Sequence, residues 1–146
     1  MIDDASRERL NDSLVTLHFA FRGLVAEPDN ILKDQGLSRI HHRLLFFIGH
    51  NDNLSVNELV DTMRLTKQAI HKPLKTLVEK ELVAVSRDSA DKRVKRLALT
   101  EAGAELEQRL TGIQHDLLLH AFEEVGPAGA DAWHRVMDTM ARRLGV

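Results

Sequence analysis

Apolar residues recur at helical spacing along most of this chain, in stretches separated by clusters of polar residues, glycine and proline. Leu10, Leu14, Leu17, Phe21 and Val25 form the first stripe and predict a helix over residues 6–26. Pro28, with Asp29 and Asn30, is expected to end it, because proline cannot continue the backbone ladder. Leu37, Ile40, Leu44 and Phe47/Ile48 predict a second helix that stops before Asn51-Asp52-Asn53. Far along the chain, Leu106, Leu110, Ile113, Leu117 and Ala121 follow a heptad-like spacing in a long helix capped by Thr100. Gly126-Pro127 interrupts that helix, and Trp133, Val136, Met137, Met140 and Leu144 predict a final amphipathic one.

The middle of the chain carries sharper local signals. Ser55 followed three residues later by Glu58 is a capping box, and Leu54 and Leu59 occupy the two positions of a hydrophobic staple. Thr66 is the next cap, with Leu65 and Ile70 placed for a second staple. The two helix starts lie eleven residues apart, which is helix-turn-helix spacing. Alternating strands over residues 82–87 and 94–99 follow, joined by a polar loop, 88–93. A basic helix and then a charged β-hairpin is the order of a winged helix-turn-helix, a device that reads DNA. The expected fold is therefore mainly α, with a small antiparallel β-hairpin wing. Residues 35–100 would form the DNA-binding lobe, and residues 1–30 and 101–146 the flanking helices. Apolar stripes at both ends predict a homodimer that buries them, although packing within one chain would absorb part of that surface.

Composition narrows the class. A chain of 146 residues, 43% hydrophobic and 29% charged, is long enough for one domain with a proper core. No apolar run approaches the ~20 residues of a membrane span, and the charged start MIDDASRERL is unlike a secretory signal, so a cytoplasmic location is expected. The absence of cysteine excludes disulfides, thiolate metal sites and thiol redox sensing. The net charge of −2 conceals an asymmetry: residues 63–99 hold ten Lys/Arg against four acids, or +6, and the remainder carries −8. A basic segment in an acidic protein points to a local polyanion-binding surface, with a solvated charged face as the plain alternative.

Projection of residues 67–77 on a helical wheel puts Ile70, Leu74 and Leu77 on one side, and Lys67, Gln68, His71, Lys72 and Lys75 on the other. The first turns of a recognition helix reach base edges, so Gln68 suits adenine and Lys67 suits guanine acceptors. Lys72 and Lys75 suit phosphates, as do the hydroxyl of Thr66 and the free amides beside it. In the loop, Arg93 is the expected minor-groove side chain, with Asp91 placed to orient its guanidinium or simply to pin a hairpin that lacks glycine. Arg87, Lys92 and Lys95 are further phosphate candidates.

These features resemble the MarR/SlyA family of dimeric winged-helix regulators. The resemblance rests on the helix-turn-helix, the wing pattern Asp88-x-x-Asp91-x-Arg93 and the following LALTEAG at residues 97–103. It spans nearly the whole chain and implies a homodimer on pseudo-palindromic DNA. In many members a small organic ligand between the dimer helices and the DNA-binding lobe shifts affinity. By that analogy His18, Phe21, Arg22, His41, Arg43 and Phe47 are the candidate ligand residues; interface salt bridges would account for the polar ones equally well. Two positions depart from the family pattern. Pro73 falls inside the recognition helix, where a kink beyond residue 72 is expected. Glu81 stands where the family usually has a helix-ending glycine, so a helix end without the left-handed glycine cap is expected.

Eight histidines raise the question of metal. His41 and His42 are adjacent and point about 100° apart on a helix, while Asp116 and His120, with His115 nearby, offer only a minimal pair of ligands. No metal site and no cofactor are expected. A histidine/carboxylate metalloenzyme lacks support, since there is no Gly-rich phosphate loop, nucleophile elbow or His-Glu-x-x-His. A sequence-specific transcription regulator is the leading reading, repressor or activator being left open. A winged-helix module that holds DNA or a protein without sequence choice is the alternative.

Overall fold

Side-chain caps start four of the five helices, and the caps fix where each element begins. The computed structural model describes residues Met1–Val146. The elements are α1 (Asp4–Asp34), α2 (Arg39–Gly49), α3 (Val56–Met63), α4 (Lys67–Glu79), β1 (Val83–Arg87), β2 (Lys95–Leu99) and α5 (Glu101–Ala141), then a 3₁₀ turn (Arg142–Leu144). Asp3, Ser55, Thr66 and Thr100 each accept a hydrogen bond from the backbone N–H three residues on. At Ser55 the box is reciprocal, since Glu58 also accepts from the Ser55 N–H at 3.2 Å. The chain forms two compact units, Met1–Arg39 and Ile40–Val146. No helix is long and apolar enough to cross a membrane.

In the first unit, α1 corrects the expectation that Pro28 ends a helix near residue 26. The helix runs through Pro28 to Asp34. The reason lies in the apolar stripe, which does not stop at the proline: Val25, Pro28 and Leu32 are all buried, at helical spacing. One missing N–H donor is tolerated when the ring itself is packed. Past the helix end, Leu37 N–H donates to Leu32 O at 2.9 Å while Gly36 adopts φ 69°, the left-handed closure that glycine favours. Arg39 closes the unit, with its guanidinium 2.7 Å from Asp29 and 4.9 Å from the Phe21 ring centroid.

The second unit has an aliphatic core in which Leu44, Leu45, Leu59, Ile70, Leu77, Leu97 and Leu110 are almost completely buried. Within it, His42 Nε2 lies 3.1 Å from Thr111 Oγ1, and that hydroxyl donates to the buried Glu107 carboxylate at 3.0 Å. Because the hydroxyl proton goes to Glu107, the imidazole must donate from Nε2. The two strands pair antiparallel, with Val83 opposite Leu99 and Arg87 opposite Lys95. Helix α4 spans Pro73 as one continuous element. The carbonyl of Ala69, which Pro73 cannot serve, belongs to an exposed residue. α5 contains a break at Gly126, whose φ of 74° and ψ of 177° are essentially confined to glycine. This is the interruption expected at Gly126-Pro127.

The end of α4 corrects a second expectation. Glu81 N–H donates to Val78 O at 3.0 Å and Leu82 N–H donates to Leu77 O at 2.9 Å, the pair of bonds of a Schellman cap. A left-handed cap is present without glycine, because Glu81 itself adopts φ 59°. Arg64 closes α3 the same way at φ 52°, with Leu65 N–H donating to Val60 O at 3.2 Å. Beyond Glu81, the Leu82 carbonyl accepts from Thr100 N–H at 3.1 Å, and Thr100 Oγ1 donates to Glu81 O at 2.7 Å. α5 starts so close to this corner that a Cβ on Gly103 would lie 1.9 Å from Leu82 O.

Two stability effects follow. Gly103→Ala drives a methyl into a backbone carbonyl that cannot retreat, and should destabilise the protein by about 3 kcal/mol or more in denaturant unfolding. Glu81→Gly relieves left-handed strain of ~1–2 kcal/mol and adds less than that in unfolded-state entropy, so it should stabilise by roughly 0.5–1 kcal/mol. A loss of stability on Glu81→Gly would show that the glutamate side chain makes a compensating contact.

Candidate nucleic-acid interface

Helix α4 buries Ile70 and Leu77 and half-buries Leu74, so its opposite face is held outward by the core. Thr66, Lys67, Gln68, His71, Lys72 and Lys75 are all exposed on that side. Thr66 Oγ1 accepts from Ala69 N–H at 3.1 Å, which satisfies one of the first-turn amides and fixes where the helix starts. Lys75 lies 3.9 Å from Glu79 one turn on, an exposed pair worth little in energy. No acid faces Lys67 or Lys72 at ion-pair distance.

The wing is built by its carboxylates. Asp88 Oδ2 accepts the N–H groups of Ala90 (3.0 Å) and Asp91 (2.9 Å), forming the turn that glycine would otherwise supply. Asp91 then grips Arg93 at both oxygens: Nε to Oδ1 and Nη2 to Oδ2, each 3.0 Å, with the Arg93 backbone N–H also on Oδ1 at 3.0 Å. The Arg93 side chain is 90% exposed, so a rigid fork projects an unburied guanidinium from the wing. Arg87 is exposed and braced against the loop by an Nη1–H donated to Lys92 O at 3.0 Å. Lys92 and Lys95 extend into solvent. Between α4 and the wing lies an open cleft of about 690 Å³ with an apolar floor of Ile70, Leu74, Val85 and Leu97, and Lys67 and Arg93 on its walls.

One arginine absent from the sequence-derived set joins these parts. Arg96, on β2, donates Nε to Asp88 Oδ1 at 3.1 Å, and Nη1 to Glu58 Oε1 at 2.6 Å and to Asn53 O at 3.2 Å. Hydrogen bonds from the Asp91 backbone and from Arg96 hold the Asp88 carboxyl below the usual aspartate range. The Arg93 guanidinium does the same for Asp91, and the Ser55 hydroxyl and N–H, with Arg96, lower Glu58. Arg93 and Arg96 are correspondingly raised by their carboxylate partners.

The six residues named for a ligand fall on two elements. His18, Phe21 and Arg22 are exposed on α1, and His41, Arg43 and Phe47 are half-buried on α2. No three histidine, aspartate or glutamate side chains converge in a way that would hold a metal ion.

A family model described as the MarR family matches residues 35–94. An HTH-type transcriptional regulator of Rhodobacter capsulatus, PetP, is 35% identical over 133 residues, which cover 91% of this chain and 80% of that protein. Among solved structures, Streptococcus pneumoniae FabT in complex with DNA superposes with a TM-score of 0.79 at 15% identity, covering 95% of this chain and 97% of that one. Staphylococcus aureus MarR in complex with salicylate and kanamycin gives a TM-score of 0.75 at 21% identity, over 97% of this chain and 93% of that one.

The lowered carboxyl groups set the pH behaviour of the wing. A depressed folded-state pKa stabilises the structure above the ordinary carboxylate range, and that contribution is lost as pH falls through the lowered values. Hydrogen-exchange protection of the Ala90, Asp91 and Arg93 amides should therefore stay constant from about pH 8 to about pH 5, and fall only below the usual aspartate range. Loss of protection near neutral pH would show that the carboxylates are not what orders the loop.

Proposed function

This chain belongs to the MarR family of transcription regulators, and we propose that it binds a pseudo-palindromic operator as a homodimer, with α4 in the major groove, the wing tip in the minor groove and a small organic molecule adjusting its affinity. The observation that carries the reading is one cationic surface assembled from two elements. Exposed Lys67, Gln68 and Lys72 occupy the first turns of α4, and Arg93 stands out from the wing under the control of Asp91. Gln68 presents paired donor and acceptor atoms for adenine, and Lys67 a donor for guanine. Thr66, His71, Lys72, Lys75, Arg87, Lys92 and Lys95 supply positioning contacts along the backbone. Asp91 acts through Arg93 rather than on DNA.

Dimerisation is supported by what the chain leaves uncovered. Leu10, Leu14, Leu17 and Phe21 on α1 are exposed, as are Leu117, Val136, Met140 and Leu144 toward the other end of the chain. Two apolar stripes of this size ask for a partner surface, and a second copy matches them with two-fold symmetry suited to a pseudo-palindrome. The proposal of an effector draws on the Staphylococcus aureus MarR bound to salicylate and kanamycin. In this chain His18, Phe21, Arg22, His41, Arg43 and Phe47 are the residues to vary.

Selection from random duplex DNA at near-physiological salt should enrich a pseudo-palindrome with half-site centres about one helical turn apart, ~10 bp. Retention without an enriched motif would favour architectural binding instead. On the selected site, Arg93→Ala should weaken binding roughly ten- to hundredfold at fixed salt, with thermal midpoint and oligomeric state unchanged. Unaltered affinity would show that the wing is not inserted.

A further inference from the structure

A two-stranded hairpin is marginally stable alone, so a wing that places one guanidinium in a groove needs something to fix its angle. Along β2 this wing is tied by backbone: Leu97 N–H donates to Leu54 O at 2.9 Å, and Ser55 bridges Arg96. Those bonds hold the strand at its middle and at its second residue, and the loop 88–93 projects beyond them with no backbone bond of its own to α3. The remaining tie is a side chain. From β2, the Arg96 guanidinium spans from Asp88, the residue whose carboxylate folds the loop, to Glu58 and the Asn53 carbonyl at the start of α3.

We infer that Arg96 is a positioning residue for DNA recognition, locking the wing to the helix-turn-helix so that Arg93 and α4 meet the duplex at one fixed angle. The assignment rests on the proposed insertion of Arg93. Three features separate Arg96 from the DNA-facing cations. Its side chain is 29% exposed, against 90% for Arg93. Two of its nitrogens are engaged by three acceptors on two other segments. Its charge is met by two carboxylates, so little of it remains for phosphate. The planar fork is essential to the bridge; a lysine ammonium at the same position supplies the charge without the reach to both carboxylates.

The test compares affinities for the selected operator across Arg93→Ala, Arg96→Gln, Arg96→Lys, Asp88→Asn and the double variant Arg93→Ala/Arg96→Gln. Asp88→Asn is the sharpest member, because removing a negative charge beside DNA should tighten binding by direct electrostatics, whereas loosening the Arg96 tie should weaken it. Asn keeps an oxygen for the Ala90 and Asp91 amides, and the site is on the surface, so this variant remains informative if Arg96→Gln unfolds. Expected are roughly tenfold losses for Arg96→Gln, Arg96→Lys and Asp88→Asn. Arg96→Gln should cost little more in the Arg93→Ala background, because the tie acts through Arg93. Losses that multiply in the double variant, full rescue by Lys, or tighter binding by Asp88→Asn would each overturn the assignment. If Arg93→Ala alone leaves affinity unchanged, wing insertion fails and the assignment falls with it. If Arg93→Ala weakens binding while the Arg96 and Asp88 variants do not, insertion stands and only the positioning role is lost.

Discussion

The carbonyl of Leu82 occupies the space where Gly103 would carry a Cβ, and the placement of α4 and the wing depends on that approach. Four elements converge there. α4 ends one bond away, through the donation of Leu82 N–H to Leu77 O, and β1 begins at the next residue. β2 ends at Leu99, and Thr100 then returns its N–H to the same carbonyl and its hydroxyl proton to Glu81 O. That hydroxyl also accepts the Gly103 N–H at 3.0 Å, so the residue that caps α5 also closes the root of the wing. Helix α4 and the hairpin are thus set at a common corner before any side chain on their exposed faces is considered. Without a side chain at position 103, α5 can seat on that corner directly.

Given a fixed root, the wing's remaining freedom is removed by charge. Exposed ion pairs contribute little to stability, so Asp88, Asp91 and Glu58 do little for the fold as charges alone. Their use is directional. Asp91 spends its charge fixing the plane of Arg93, and Asp88 and Glu58 share Arg96. Each acid in the wing is bonded to an arginine or to backbone amides, so none is left presenting a bare negative charge beside Lys92 and Lys95. The segment therefore keeps its basic excess while using carboxylates as struts, which reconciles an ordered loop without glycine and a net positive surface.

Much of this was legible in the sequence because the signals are local. Ser55/Glu58, Thr66 and Thr100 announce helix starts through contacts three residues long, and the alternation on either side of the loop located both strands to within one residue of Val83–Arg87 and Lys95–Leu99. The Asp91–Arg93 fork was visible for the same reason, at a separation of two. What sequence concealed depends on distant partners or on local strain. Pro28 reads as a stop by its own chemistry, and only burial alongside Val25 and Leu32 explains why α1 continues. Glu81 and Arg64 adopt left-handed conformations that their side chains disfavour, because Schellman bonds and the Leu82 corner impose them. Arg96 looks like one more cation in a basic run. Its partner Glu58 lies thirty-eight residues away, and nothing short of the fold brings the two together.

The same contrast between local and distant causes governs the far end of the chain. An uninterrupted helix would separate Phe122 from Trp133 by about 16 Å along its axis, at 1.5 Å per residue. Their ring centroids lie 5.3 Å apart, and Phe122 also meets His134 at 5.9 Å. The break at Gly126 therefore folds the last helical segment back along α5, far enough that the Gly145 carbonyl comes within 3.3 Å of Arg64 Nη2 at the turn before α4. The aromatic contact secures the bend from inside, yet Trp133, Val136, Met140 and Leu144 keep substantial exposed apolar surface. The segment is thus bent by a glycine-only backbone conformation and pinned by ring packing, with its apolar side chains held on the surface. That places the bend at Gly126 and the pin at Phe122 upstream of any dimer: they determine which apolar residues face outward together, and so which surface a second copy would have to match.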